Sequence, residues 1–101
     1  MAFVQNLYTY ILVFDESQWP TKQVQDILDG MAEVRWWIRP LPNAIFLTSH
    51  LSAKQISDFL QTKLVPNTGS HIVIDCKTDY WGRLDKRVWK LITDPTSSGQ
   101  E

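Results

Sequence analysis

The sequence lacks several features that would by themselves indicate a class of protein. It has a single cysteine, Cys76, among 101 residues, which excludes an internal disulfide framework and a cysteine-rich zinc site. Its longest apolar run, around Ile11–Phe14, is far shorter than the ~20 residues of a membrane-spanning helix, so we expect no membrane partner. Its formal net charge of −1 is not the cationic excess of proteins that coat nucleic acid.

Common catalytic motifs are missing as well. The 4 glycines are scattered, so no glycine-rich loop is available to bind nucleotide phosphates. No cysteine and histidine stand at a spacing that indicates nucleophilic catalysis. His50 and His71 are the only histidines, which is too few for a metal cluster, and we expect each to be a solvated or capping residue.

The composition is that of one small globular domain, with 44% hydrophobic and 21% charged residues. This length leaves no room for a second hydrophobic core. We therefore expect residues 1–93 to form a single domain and residues 94–101, which have no apolar side chain to bury, to be a disordered tail. The N-terminal stretch has neither a basic segment nor a cleavage site, so we expect no signal peptide and a cytoplasmic location.

Four segments have the patterns of β-strands. The continuous apolar run Leu7–Phe14 is typical of a central strand. Residues Glu33–Arg39 alternate between the two sides of a half-buried strand, and a proline-rich turn after them predicts a hairpin to Ala44–Thr48. His71–Cys76 alternates again, which predicts a fourth strand.

Three segments show helical periodicity. Residues 24–31 carry apolar side chains at i, i+3, i+4 and i+7, which predicts one amphipathic helix. Ser52 and Gln55 match a capping box, which predicts the start of a second helix. Apolar residues at helical spacing between Leu84 and Ile92 predict a short terminal helix.

The resulting order is β-α-β-β-α-β with a C-terminal helix. Two βα units around a hairpin predict an α+β, ferredoxin-like fold, in which a four-stranded antiparallel sheet carries two helices on one face. The other face of the sheet is then left for solvent, the terminal helix or a second subunit.

Several longer strings resemble a known group of proteins. Tyr10–Asp15 is similar to the first strand of the VapD-like ferredoxin group, which includes the small CRISPR spacer-integration subunit. Trp36–Thr48 followed by Leu51–Ile56, and the ending Tyr80–Ile92, resemble the small bacterial and phage proteins described as SinR-like. The resemblance covers about residues 7 to 92, and most of its motifs are structural.

This resemblance implies a ferredoxin-like homodimer from a bacterial, phage or mobile-element system, whose better-known relatives handle nucleic acid. It does not imply a helix-turn-helix. The chain departs from the pattern at Ala44, where an aromatic residue is often found. It also lacks a basic cluster in the second strand.

Asp15 is the first candidate functional residue, because it follows the central strand directly. Two copies of this carboxylate across a dimer could hold a hard cation such as Mg²⁺, with Glu16 or Ser17 adding an oxygen ligand. The resemblance implies a metal-dependent nuclease in which that ion activates water for phosphodiester hydrolysis. The alternative is a carboxylate that caps the loop before the first helix.

A row of cations on the terminal helix is the second candidate. Its members fall at i, i+3, i+4 and i+7, namely Arg83, Lys86, Arg87 and Lys90. Such a row could contact phosphates, and Trp81 and Trp89 nearby could stack on unpaired bases. The alternative is an ordinary charged face turned to water.

The paired tryptophans of the second strand are the third candidate. Alternation predicts that Trp36 lies in the core. Trp37 then lies on the opposite face, between Arg35 and Arg39, where it would suit a nucleobase or a partner subunit. We favour burial in a homodimer interface or under the terminal helix.

These candidates support three hypotheses of function. The first is a non-enzymatic homodimeric module that binds nucleic acid or protein and needs no cofactor. The second is a nuclease that uses Mg²⁺ between paired Asp15 carboxylates. The third is an accessory protein that tunes a host complex by protein contact alone. We rank the binding hypotheses first, because the sequence offers a single plausible catalytic side chain.

Overall fold

The computed structural model describes residues 6–76, 83 and 86–93. Its elements in chain order are β1 (Tyr8–Phe14), α1 (Thr21–Gly30), β2 (Val34–Leu41), β3 (Ala44–Ser49), α2 (Ala53–Lys63), β4 (His71–Asp75) and α3 (Lys86–Thr93). The predicted disordered tail, residues 94–101, lies outside the described residues. None of the helices within the described ranges is both long and apolar enough to span a bilayer.

The four strands form one antiparallel sheet in the order β2-β3-β1-β4. This order and the two intervening helices confirm the predicted ferredoxin-like α+β fold. The apolar strand β1 occupies the interior of the sheet, where Ile11 faces Phe46 of β3 on one side and Ile74 of β4 on the other. This position explains its composition, because Leu12 and Phe14 pack in the main core on one face of the sheet and Ile11 borders a second cluster on the other.

The main core lies between the sheet and the two helices α1 and α2. Val24 and Leu28 of α1, with Ile56 and Leu60 of α2, are buried against β1 and β3. Each helical pair stands four residues apart, so the apolar stripes predicted from periodicity are the faces that the helices bury.

The start of α2 has the predicted capping box. The Ser52 hydroxyl accepts a hydrogen bond from the Gln55 backbone N–H at 3.2 Å, and the Gln55 side chain accepts one from the Ser52 N–H at 2.9 Å. Two N–H groups that lack a helical partner are thereby satisfied, which fixes where the helix begins.

The second face of the sheet is partly covered by α3. Val88 and Ile92 are buried against Phe46 of β3, and Ile11 and Ile38 border this smaller cluster. From the sequence, this face is expected to meet solvent, the terminal helix or a second subunit. The structure places the terminal helix over β2 and β3.

The assignment of Trp36 to the core is wrong, because β2 contains a β-bulge. Val34 faces Ser49 and Trp36 faces Thr48, so two steps along β2 match one step along β3. The extra residue reverses the alternation that follows it. Trp36 is consequently 39% exposed, whereas Trp37 packs against the main core.

Trp19, which no pattern in the sequence places, is fully buried in the main core beside the segment before β4. Its indole N–H donates to the Pro66 carbonyl at 2.7 Å, and its ring stacks on His71 with centroids 4.6 Å apart. The largest side chain of the main core is therefore contributed by a loop.

Candidate nucleic-acid interface

The cations that the sequence singles out are exposed wherever the structure describes their side chains. They are Arg35 and Arg39 on β2, Arg83 before α3, and Lys86 and Arg87 in the first turn of α3. The side chain of Lys90 lies outside the described part of the chain, as do Trp81 and Leu84. Of the predicted row, the structure therefore describes the side chains of Arg83, Lys86 and Arg87.

The packing of α3 determines which way its cations face. Val88 and Ile92 lie on the buried side of the helix. At 3.6 residues per turn, Lys86 is about 160° around the helix from Val88 and so projects away from the sheet. α3 packs against β2, the strand that carries Arg35. We refer to Arg35, Lys86 and Arg87 as the basic surface.

A cleft of about 270 Å³ opens at the β2 bulge, between this strand and the end of α1. Its lining includes Arg35, Trp36 and Trp37 from the strand and Asp29 from the helix. The Trp37 indole N–H donates to Asp29 Oδ1 at 2.7 Å, so Trp37 is held by its own subunit. Trp36 is the indole of this pair that presents more surface to solvent.

Charges on the helical face are largely compensated. Lys22 pairs with Asp26 at 3.2 Å along α1, and Lys54 pairs with Asp58 at 2.7 Å along α2. Within the described ranges, no carboxylate lies at salt-bridge distance from Arg35, Arg39 or Lys86. The positive potential of this near-neutral chain is therefore expected on the β2 and α3 side.

Asp15 lies in the tight turn that follows β1. Its Oδ1 accepts hydrogen bonds from the Ser17 hydroxyl at 2.6 Å and the Ser17 N–H at 2.9 Å. These bonds stabilise the carboxylate and lower the pKa of Asp15 below its usual value. Its main-chain N–H also donates to the Ser70 carbonyl at 2.9 Å, which ties the turn to the start of β4.

This geometry matches the capping role given above as the alternative for Asp15. Ser17, which could have added a metal ligand, instead donates its proton to the carboxylate. In the described portion of the chain, no group of three or more His, Cys, Asp or Glu side chains is placed to hold a metal ion. A magnesium site at Asp15 would need ligands from another molecule, and it stays a prediction.

A polar cluster that sequence reasoning missed joins α2 to β4. Ser57 Oγ lies 2.6 Å from His71 Nε2, and His71 Nδ1 lies 2.8 Å from the Gly69 carbonyl. A carbonyl can only accept, so Nδ1 carries a proton, and in the neutral ring the Ser57 hydroxyl donates to Nε2. Gln61 Nε2 donates to Ser57 Oγ at 3.2 Å. The expectation of a solvated or capping role for His71 is wrong, since both ring nitrogens bind the protein.

The Ser57–His71 pair has the spacing of a nucleophile and its base, but its surroundings are those of a structural link. Ser57 lies in the middle of α2, where the backbone N–H groups are used by the helix. Such groups cannot stabilise an oxyanion beside Oγ. The alternation of β4 placed His71 on one face of that strand, but no local pattern indicates that Ser57 lies opposite.

Cys76 is a partly buried residue that borders the smaller cluster under α3. Burial, followed by the nearby Asp75 carboxylate, raises the pKa of the thiol to about 11. The thiolate is the reactive form, so the environment of Cys76 disfavours a nucleophilic role. This agrees with the sequence-based interpretation of a small packing residue.

Comparison with protein-family models, with characterised proteins and with solved structures finds no match to this chain. The resemblance to SinR-like and VapD-like proteins therefore stays a prediction.

Proposed function

We propose that the protein is a non-enzymatic, homodimeric module that binds single-stranded nucleic acid, in a bacterial, phage or mobile-element system. The observation that carries this proposal is the basic surface beside an exposed indole. Arg35 and Lys86 are exposed without a carboxylate partner among the described residues, and Trp36 lies in the cleft next to Arg35.

Phosphate binding follows from the charge. Each lysine or arginine that neutralises a phosphate releases condensed counterions, which favours binding at low salt. Lys22 of α1 and Lys54 of α2 are less suited to this role, because each has an aspartate four residues along its helix.

Base binding follows from the bulge in β2. An indole that is exposed on a rigid strand offers a stacking platform for an unpaired base, worth about 1–3 kcal/mol per base. Trp36 suits this role better than Trp37, because Trp37 is partly buried and its N–H is bound to Asp29. Stacking of this kind favours single strands, whose bases are accessible.

The proposal is tested by fluorescence anisotropy with a labelled, mixed-sequence oligonucleotide of about 20 nucleotides. We expect Arg35→Glu/Lys86→Glu to weaken binding by about tenfold or more. The matched control is Lys22→Glu/Lys54→Glu, which changes the net charge equally but on the helical face, and we expect it to bind nearly as the wild type does. Equal losses of affinity in both variants would show an effect of net charge only, and would refute binding at the basic surface. Absence of binding by the wild type would leave a protein partner as the function.

The nuclease hypothesis is kept as the alternative, because Asp15 is an exposed carboxylate that hydrogen bonds keep ionised. It predicts cleavage of nucleic acid that depends on Mg²⁺ or Mn²⁺ and disappears in Asp15→Ala. The non-enzymatic proposal predicts no cleavage above background by either protein. If the wild type cleaves nucleic acid in a metal-dependent way and Asp15→Ala does not, the enzymatic proposal would replace the binding one. The variant must still unfold cooperatively for this conclusion to hold.

A further inference from the structure

The two edges of the sheet are built differently. The order of the strands puts β2 at one edge and β4 at the other. β2 carries Arg35, Arg39 and Pro40 and has two irregularities in its register with β3. Charged residues, proline and bulges are the devices that keep an edge strand from pairing with another chain.

β4 has fewer of these devices, since its one carboxylate, Asp75, stands at the end of the strand. Its register with β1 is regular from His71 to Asp75, and the strand contains no proline, lysine or arginine. No other strand within the described ranges pairs with its outer edge. A regular edge without proline, bulge or basic side chain is a template for strand addition.

The outer face of β4 is apolar as well. Ile72 is 54% exposed and Ile74 is 47% exposed, both on the sheet face on which α3 packs over β2 and β3. Two neighbouring isoleucines that remain in contact with water on a sheet surface favour a protein contact.

The backbone of β4 has its unpaired groups on alternate residues. The Ser70 carbonyl accepts a hydrogen bond from the Asp15 N–H, and the Cys76 N–H donates one to the Thr9 carbonyl. The even-numbered residues from Ser70 to Cys76 therefore direct their backbone N–H and carbonyl groups toward β1. By alternation, His71, Val73 and Asp75 direct their N–H and carbonyl groups to the outer edge.

We propose that β4 pairs antiparallel with β4 of a second copy, around a two-fold axis at Val73, and so joins two sheets into one. This axis sets Val73 opposite itself and His71 opposite Asp75 of the partner subunit. All three outward residues then form reciprocal pairs, each of which exchanges two hydrogen bonds. An axis at Ile72 or Ile74 would leave some of these groups unpaired.

The side chains of β4 argue for a second copy as the occupant, because the pairing is self-complementary. The axis at Val73 sets Ile72 opposite Ile74 of the partner subunit, so the exposed isoleucines of both copies pack together. It also keeps the two Asp75 carboxylates apart. The strand edge is small compared with a typical stable interface, so the dimer should dissociate on dilution.

The inference rests on the proposed homodimer and moves its interface from Trp37 to β4. Trp37 packs against the core of its own subunit and binds Asp29. The interface at β4 also leaves the basic surface, which lies at the opposite edge of the sheet, accessible in both copies.

Sedimentation velocity over a series of protein concentrations tests the interface. We expect the wild type to shift from monomer to dimer as concentration rises, and Ile72→Lys/Ile74→Lys to weaken the dimer by about tenfold or more, because lysine protects strand edges. The matched control, Leu41→Lys/Val65→Lys, also replaces two exposed apolar residues and should dimerise as the wild type does. A monomeric wild type would refute both the homodimer and the interface. A dimer that survives Ile72→Lys/Ile74→Lys would refute the interface alone.

Cross-linking tests the register of the pairing. In a Cys76→Ser background, Ile72→Cys and Ile74→Cys are purified separately, mixed and oxidised. Residues 72 and 74 form a non-hydrogen-bonded pair across the proposed axis, with Cα atoms about 4.5 Å apart, which suits a disulfide. We expect the mixture to give a cross-linked dimer and each protein alone to give little. Equal cross-linking in all three samples would refute the axis at Val73, and oligonucleotide binding, measured separately, would stand or fall on its own.

Discussion

Ser57 Oγ and His71 Nε2 lie 2.6 Å apart and connect the middle of α2 to the first residue of β4. The ring of His71 is held from three sides, because Gly69 accepts from Nδ1 and Trp19 stacks on its face. The edge strand is therefore fixed to the helical layer by a polar contact as well as by apolar packing. An edge strand held in this way is preorganised for pairing with another chain.

Removal of the Ser57 hydroxyl tests this connection. We expect Ser57→Ala to lower the free energy of unfolding by about 1 kcal/mol, because a hydrogen bond to partly buried His71 Nε2 is lost. The measurement is urea unfolding followed by tryptophan fluorescence. Thr68→Ala is a suitable control, because Thr68 is exposed. Equal stability of wild type and Ser57→Ala would mean that solvent replaces the hydroxyl at no cost.

A methyl group at Gly69 tests the packing of Trp19. An added Cβ would overlap the indole of this fully buried tryptophan, so we expect Gly69→Ala to destabilise the fold by about 1–3 kcal/mol. Gly30→Ala is the matched control. It has open space around its Cβ position at the end of α1, where alanine is favoured over glycine by up to about 1 kcal/mol. A melting temperature that rises in both variants would contradict the packing described for Trp19.

The raised pKa of Cys76 predicts slow alkylation. With a pKa of about 11, the thiolate fraction at pH 8 is on the order of a hundredfold below that of an unperturbed thiol with a pKa of about 8.5. The rate of modification by iodoacetamide at several pH values measures this. We expect Asp75→Asn to increase the rate, because the Asp75 carboxylate contributes to the shift. A wild-type rate equal to that of a small thiol would show that Cys76 is not buried.

The same shift sets a direction for stability at alkaline pH. As pH rises above about 8.5, the unfolded state loses the thiol proton while the folded state retains it. The contribution of Cys76 is therefore fully present below that pH and is lost as pH rises through about 11. Cys76→Ser should remove this part of the alkaline decline in stability.

The two neighbouring tryptophans of β2 should respond oppositely to substitution. Trp36→Ala should weaken oligonucleotide binding by about tenfold, the loss of one stacked base, and should destabilise the fold less than truncation of a fully buried tryptophan would, because the indole is 39% exposed. Trp37→Phe should leave binding nearly unchanged and lower stability by about 1 kcal/mol, because the hydrogen bond to Asp29 is lost. If Trp37→Phe weakens binding and Trp36→Ala does not, Trp37 would be the binding residue, as the sequence predicts.

Local patterns predicted the architecture because each acts within one element. The capping box of Ser52 and Gln55 fixes where α2 begins, and the apolar stripe of α1 fixes the face that it buries. The apolar run of β1 indicated an interior strand. None of these features depends on contacts from distant parts of the chain.

The candidate site was only partly predictable, because its geometry depends on a bulge and on long-range contacts. Alternation assigns opposite faces to Trp36 and Trp37 correctly, but the extra residue in β2 exchanges which of them is buried. Ser57 and His71 meet because α2 packs on β4. The sequence separation of Trp19 and Pro66 likewise hides the contact between them.

The salt dependence of oligonucleotide binding is the most direct test of the proposed function. Anisotropy titrations of the wild type between about 50 and 200 mM salt give the slope of log affinity against log salt concentration. We expect a slope of about −2, since each phosphate contact to a single strand contributes about −0.7 and the basic surface has three cations. Arg35→Glu/Lys86→Glu should make the slope shallower by at least about 1. A wild-type slope near zero, or the same slope in this variant, would contradict nucleic-acid binding by the basic surface.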